Sequence, residues 1–166
     1  MSNQQENINI DGMDAGIISA LSQDGRRSYV DIGAEVGLST AAVHERVKKL
    51  LERGTIERFS LQVNHEAVGL NFTAFVAIRN DGGTHCREIA ARLRDISAVQ
   101  ELHSVAGEYD FLAKVRTRQA RDLEGVLTQI KSIPGVSRTT STVVLNTEFE
   151  GQPLRLKPPA APPKAA

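Results

Sequence analysis

From position 39 to 53 the chain reads Ser39-Thr40-Ala41-Ala42-Val43-His44-Glu45-Arg46-Val47-Lys48-Lys49-Leu50-Leu51-Glu52-Arg53, with hydrogen-bonding and cationic side chains at helical spacing. Val43, Val47 and Leu50 recur at intervals of four and three residues, which buries one stripe of a helix and turns Thr40, Ala41, His44, Glu45 and Lys48 to the other side. Such a helix, capped by Ser39 or Thr40, small and polar at its exposed start and basic behind, has the chemistry to enter the major groove of double-stranded DNA. Thr40, Ala41, His44 and Glu45 are then expected at base edges, and Arg46, Lys48 and Lys49 mostly at phosphates. A solvated surface helix with a basic wet face shares these features, so the elements that precede it matter.

Those elements are helical. Ile17, Ile18, Leu21 and Ile32 fit the packed faces of two earlier helices, with Asp24-Gly25-Arg26-Arg27 as the polar turn between them. A short helix is expected over 29–36, closed by Gly37-Leu38. Three short helices ending in a tight turn and a capped basic helix form a helix-turn-helix unit.

Composition narrows the partners. The chain has 166 residues, 40% hydrophobic and 24% charged, which suits one medium or two small soluble domains. No apolar run reaches the roughly 18 residues needed to cross a bilayer. Residues 1–10, charged only at Glu6, look like neither a signal nor a transit peptide, so a cytoplasmic protein with no membrane partner is expected. Cys86 is the single cysteine, which excludes an intramolecular disulfide and a cysteine-based zinc site. No metal and no cofactor are expected. Net charge is formally +0, and residues 11–60 hold seven Lys and Arg against eight Asp and Glu. Because salt screens charge beyond about 8–10 Å, DNA binding here depends on a local patch multiplied by oligomerisation.

Along the chain, residues 1–11 read as a flexible N-terminal arm, 12–63 as the helix-turn-helix domain (winged-helix-like, with a strand-like alternation over 55–63), and 64–70 as a linker. Residues 71–150 then alternate between strands and helices. Positions 71–79 alternate with Phe72, Ala74, Val76 and Ile78 on one face. Helices are expected over 84–95, with Ile89, Ala90 and Leu93 inward, and around Leu123, Val126, Leu127 and Ile130, stopped by Pro134-Gly135. Strands are expected over 99–105, 110–116 and 137–146. The order βαββαβ predicts a four-stranded antiparallel sheet with both helices on one face, the ferredoxin-like arrangement, and hence an α+β protein. The bare face of such a sheet must be hidden. Thr140, Thr142 and Val144 share one side of the last strand and Val143 and Leu145 the other, so packing on a second copy, a homodimer, is expected. Residues 151–166 contain five of the six prolines and read as a disordered Pro/Ala/Lys tail.

Several segments together resemble the Lrp/AsnC, or feast/famine, family of prokaryotic transcription regulators over about residues 12–150. They are Val36-Gly37-Leu38-Ser39 followed by Val43, Arg46, Val47, Leu50, Gly54 and Ile56; Leu70-Asn71-Phe72-Thr73-Ala74-Phe75-Val76; Val105-Ala106-Gly107-Glu108-Tyr109-Asp110-Phe111-Leu112; and Ile133-Pro134-Gly135-Val136. The resemblance implies a DNA-binding head joined to a domain that binds an amino acid or related metabolite. It also implies dimers that assemble to tetramers, octamers or higher. The effector pocket it implies lies between dimers, around Gly107, Glu108, Tyr109 and Asp110 and the last strand's Thr139 and Ser141. There Gly107 would let backbone amides approach a carboxylate, Asp110 would accept from an α-ammonium, and the hydroxyls would complete the set. Two positions depart from amino-acid-binding members, Ala106 in place of Ser and Thr139-Thr140-Ser141 in place of Thr-x-Thr, so the pocket takes a different effector or none. The plain alternative is a tight hairpin in which Tyr109 fills a packing gap.

Two other functions stay open. Siroheme-decarboxylase-like enzymes resemble this family across both domains, but need cationic and His side chains around a tetrapyrrole, and this chain has four His. A nucleoid-architectural protein without an effector would share the DNA-binding head. His103 reads as a strand histidine and Cys86, near Arg87, as a lone thiol. No Ser-His-Asp set, phosphate loop or paired carboxylates stand out, and the chain is expected not to be an enzyme.

Overall fold

Three side-chain caps start the three N-terminal helices. Helix α1 spans Gly12–Gln23, α2 Tyr29–Val36 and α3 Thr40–Glu52. Asp11 accepts from the Asp14 N–H at 2.7 Å, Ser28 from Asp31 at 3.1 Å and Ser39 from Ala42 at 3.2 Å, each satisfying a donor that a helix start leaves unpaired. The computed structural model describes residues 10–156 and divides into two units, one holding these helices and the segment from Phe149, the other Val63–Glu148. Most of the expected N-terminal arm and the end of the tail lie outside the described residues.

Ile17, Ile18, Leu21, Ile32, Val43, Val47 and Leu50 make the helical core; burial of each contributes about 1.5–3 kcal/mol. The turn from α2 into α3 rests on two glycines. Gly37 ends α2 in the left-handed conformation at φ +73°, and a Cβ on Gly33 would stand 2.5 Å from the Leu38 carbonyl oxygen. The strand expected over 55–63 does not form. Its alternation is real, but Leu61 is 85% exposed and Phe59 also faces solvent. A strand needs a neighbour for its backbone groups, and the described residues supply none.

The tail reading also needs correction for residues 151–156. Leu156 packs against the helical core, its N–H donates to Ser19 Oγ at 3.1 Å, and Gln62 Nε2 donates to the Glu150 carbonyl at 3.4 Å. Composition marked this stretch as proline-rich and hid the one apolar side chain with a place to go.

In the second unit, β1 spans Phe72–Asn80, α4 Cys86–Arg94, β2 Val99–Ser104, β3 Phe111–Thr117, α5 Asp122–Lys131 and β4 Val136–Val143. The sheet order is β2-β3-β1-β4, with each neighbouring pair antiparallel. Ala74, Val76 and Ile78 of β1 and Phe111, Ala113 and Val115 of β3 pack with Ile89 and Leu93 of α4 and Leu123, Val126 and Ile130 of α5. Both helices therefore cover one face, as the βαββαβ order requires. The linker expected over 64–70 is a capped turn: Asn64 Oδ1 accepts from the Glu66 and Ala67 N–H groups, and Gly69 closes it at φ +76°.

Candidate functional site

On α3, Thr40, Ala41, His44, Glu45, Lys48 and Lys49 are exposed, opposite buried Val43, Val47 and Leu50. Ser39, also exposed, commits its hydroxyl to the cap. The His44 ring meets Tyr29 of α2 edge-on with centroids 6.0 Å apart, which orients the imidazole on the outer face. Lys48 lies 4.0 Å from Glu52 one turn on, an exposed pair that holds it weakly.

Arg46 departs from the expectation of a phosphate contact. Its Nη1 donates to Asp11 Oδ2 at 2.7 Å and to Asp14 Oδ1 at 2.8 Å. Asp14 is 7% exposed, and its hydrogen bond, followed by that of Asp11, raises the Arg46 pKa. The Asp14 N–H, and after it the Arg46 guanidinium, hold the Asp11 carboxyl below its ordinary value. Arg46 stands at the flank of the buried stripe, next to Val47, so the helix turns it toward the start of α1. A phosphate would have to displace two carboxylates. Arg46 is a clasp between α1 and α3.

In the second unit, the loop from β2 to β3 holds Gly107, Glu108, Tyr109 and Asp110. Gly107 sits at φ +149°, a conformation essentially reserved for glycine, and a Cβ there would meet nothing within 4 Å. Backbone conformation, not crowding within the chain, requires this glycine. Asp110 Oδ2 accepts from the Asn80 N–H at 2.7 Å while the Asp110 N–H donates to the Ile78 carbonyl at 3.0 Å. This ties the loop to the end of β1, where the register with β4 shifts between Arg79 and Asn80. One oxygen of Asp110 is thus already engaged. Glu108 is exposed.

The Tyr109 hydroxyl lies 2.8 Å from Thr140 Oγ1. Thr139 and Ser141 stand opposite the core residues Ile78 and Val76 and share the sheet's helix-side face. Alternation places Thr140 on the other face. The structure therefore joins the loop to Thr140 through Tyr109, with Thr139 and Ser141 on the opposite face of β4. The period of two already placed Thr140 with Thr142; the reach of Tyr109 from a distant turn carried no sequence signal. Asn80 was also missed. Besides holding Asp110, its Nδ2 donates to the Thr84 carbonyl at 2.8 Å and its Oδ1 accepts from the Gly82 N–H at 3.0 Å.

The sheet face away from the helices carries charge. Lys114, 7% exposed, donates to Glu101 Oε1 at 3.0 Å and holds the Glu101 carboxyl below its ordinary value. His103 Nε2 lies 3.7 Å from the other Glu101 oxygen. Burial first, then the Arg116 and Lys114 cations, lower the His65 pKa. Among the described residues, no group of three or more His, Cys, Asp or Glu is placed to hold a metal ion, and no helix is long and apolar enough to cross a membrane.

Comparison with known proteins agrees with both units. Residues 10–51 match the AsnC-type helix-turn-helix domain and residues 73–154 the Lrp/AsnC ligand binding domain. The HTH-type transcriptional regulator FL11 of Pyrococcus abyssi is 36% identical over 150 residues, 90% of this chain and 99% of that protein. A feast or famine regulatory protein of M. tuberculosis, solved in complex with L-methionine, superposes with a TM-score of 0.83 at 36% identity, covering 89% of this chain and 99% of that one. A transcriptional regulator of Neisseria meningitidis, also solved with L-Met, gives 0.80 at 26% identity, covering 89% and 96%. These relatives are transcriptional regulators rather than enzymes. With a helix-turn-helix unit, a ligand-binding domain and this similarity along nearly its whole length, the chain belongs to the Lrp/AsnC family of DNA-binding transcriptional regulators.

Proposed function

We propose that the regulator reads operator DNA with Thr40, Ala41, His44 and Glu45 of α3, with Lys48 and Lys49 on flanking phosphates and Ser39 fixing the helix start. The observation that carries this reading is the capped, exposed face of α3 opposite Val43, Val47 and Leu50. Removing a base-reading side chain costs about 1–3 kcal/mol and changes sequence preference. Mobility-shift titrations of Thr40→Ala and His44→Ala against a selected operator test this. Unchanged affinity and preference in both would show that another surface reads the bases.

The metabolite response is assigned to residues 107–110 and the neighbouring β4, with an amino acid or related compound as the effector. Support comes from the two relatives solved with methionine and from the Asp110 carboxylate, one oxygen of which accepts from the Asn80 N–H while the other can accept from an α-ammonium. The sheet face opposite the helices, with Phe75, Thr140 and Thr142, is assigned to homodimer contact, and further assembly to tetramers or octamers places effector and interface together. The dimer presents two α3 helices to half-sites about 34–36 Å apart or a multiple of that spacing. The cytoplasm, where DNA is met, is its place of action. Thermal-shift screening against amino acids, methionine included, tests the effector: a binder at 100 times its Kd adds about 2.7 kcal/mol. Full effector affinity in Asp110→Ala by calorimetry would remove the ammonium role.

A further inference from the structure

Asp110 is held twice by the last residues of β1. Its N–H donates to the Ile78 carbonyl at 3.0 Å, and its Oδ2 accepts from the Asn80 N–H at 2.7 Å. The first bond fixes the backbone and the second the side chain, so the direction of the other carboxylate oxygen is set before any ligand arrives. Asn80 stands where the register of β1 with β4 shifts, and irregularities at strand ends re-aim groups in this way. Both Asn80 and Asp110 are half-buried.

The Asn80 side chain keeps that N–H in place. Its Oδ1 accepts from the Gly82 N–H at 3.0 Å, closing a turn onto the residue two positions on. Its Nδ2 donates to the Thr84 carbonyl at 2.8 Å and lies 3.6 Å from Cys86 Sγ. The turn over 80–84 is wedged against the turn that leads into β4. The Asp81 N–H donates to the Gly135 carbonyl at 2.8 Å, and a Cβ on Gly135 would stand 2.5 Å from Thr84 Cβ. One planar amide, acceptor and donor together, thus fixes residues 80–84, the end of β1 and, through its own N–H, the Asp110 carboxylate. An acceptor aimed in advance is not reorganised on binding, which is the condition for a strong and selective contact.

We propose that Asn80 is a positioning residue of the effector site: it aims the Asp110 carboxylate, and so makes the site select ligands that carry an α-ammonium over carboxylic acids that lack one. The proposal rests on the effector reading assigned to residues 107–110. Asn80 acts through Asp110 and meets no ligand itself. Its loss is therefore felt at the ammonium alone, whereas a generally loosened loop would bind every ligand worse.

The test is calorimetry on the full chain with the standard amino acids as probes, L-methionine first, and, for each that binds, the carboxylic acid lacking the α-amino group. The parent should prefer the amino acid by about 10- to 150-fold, the fold-change of a hydrogen bond to a charged group. Asn80→Ala should cut that preference by about tenfold while leaving the affinity for the plain acid unchanged. Asn80→Ser, whose hydroxyl can serve Gly82 but not Thr84 as well, should show a smaller cut of the same kind. Asp110→Asn keeps an acceptor for the Asn80 N–H and loses the ammonium partner, so it should abolish the preference, and adding Asn80→Ala to it should change nothing further. A parent-like preference in either Asn80 variant, folded by circular dichroism, overturns the proposal. So do equal losses for amino acid and plain acid, or an added loss in the Asp110→Asn background; the effector reading survives each of these. If neither Asn80 variant folds, Asn80 is a folding residue and the proposal falls. If the parent binds none of the probes, or binds them without preferring the ammonium, the effector reading fails and this proposal with it.

Discussion

Replacing Arg46 by Ala separates two roles open to a cation on α3. Its bond to Asp11 reaches a side chain that is 50% exposed, and such a pair contributes about 0.2–1 kcal/mol. Its bond to Asp14 reaches a side chain only 10% exposed, where a hydrogen bond to a charged partner contributes about 1.5–3 kcal/mol. Arg46→Ala leaves the Asp14 carboxylate without that cation, so a loss of about 2–3 kcal/mol is expected. At about 2–4 °C per kcal/mol for a chain of this size, the melting temperature falls by about 4–12 °C. Arg46→Lys keeps the charge without the planar fork and should recover part of the loss. The assays are urea denaturation and DNA titration at several salt concentrations. Because Arg46 is committed to α1, its removal should leave the salt slope unchanged. Lys48→Ala should do the reverse, leaving stability alone and making the slope shallower by about 0.9. A double-mutant cycle with Asp14→Ala should return most of the Arg46 loss as coupling energy. An Arg46→Ala protein as stable as the parent, with a slope shallower by about 0.9, would refute the clasp and return Arg46 to the phosphates.

Gly33→Ala sets a methyl group 2.5 Å from the Leu38 backbone oxygen, so the turn into α3 must open; a loss of about 1–3 kcal/mol and weaker DNA binding are expected, and parent-like stability in urea would contradict the close approach. Tyr109→Phe deletes the hydroxyl 2.8 Å from Thr140 and should cost about 0.5–1.5 kcal/mol in the second unit while leaving the affinity for DNA without effector unchanged, read by calorimetry and mobility shift. His65 has its pKa lowered by burial and by Arg116 and Lys114, so the folded unit resists its protonation. Its contribution to stability is complete above the ordinary value of 6.5 and is lost as pH falls from there toward the folded pKa. Denaturation midpoints should therefore drop across that window in the parent and stay flat in His65→Gln; a flat parent profile would contradict the lowered His65 pKa.

Much of the fold was legible because it is written in short-range patterns. Ser28 and Ser39 cap helices from within three residues, Val43, Val47 and Leu50 follow the helical period, and Phe72, Ala74, Val76 and Ile78 follow the strand period. These local choices, with the βαββαβ order and the family resemblance, determined two units, a capped amphipathic helix with a basic outer face and the loop at Gly107. Where pattern met pairing, it fell short. Residues 55–63 alternate like a strand, yet alternation states only which side chains share a face, not whether another backbone lies alongside.

The remaining decisions belong to the tertiary structure. Arg46 meets carboxylates 32 and 35 residues away, Tyr109 meets Thr140 from 31 residues away, and Leu156 finds Ser19 across 137. Each turned a plausible local reading into something else: a phosphate ligand into a clasp, Thr139 and Ser141 into the far face of β4, the start of a loose tail into an anchor. Sequence patterns place a side chain on a face of its own element. Hydrogen bonds and ion pairs act over a few ångströms and in particular directions, so their partners are chosen only when packing brings distant elements together.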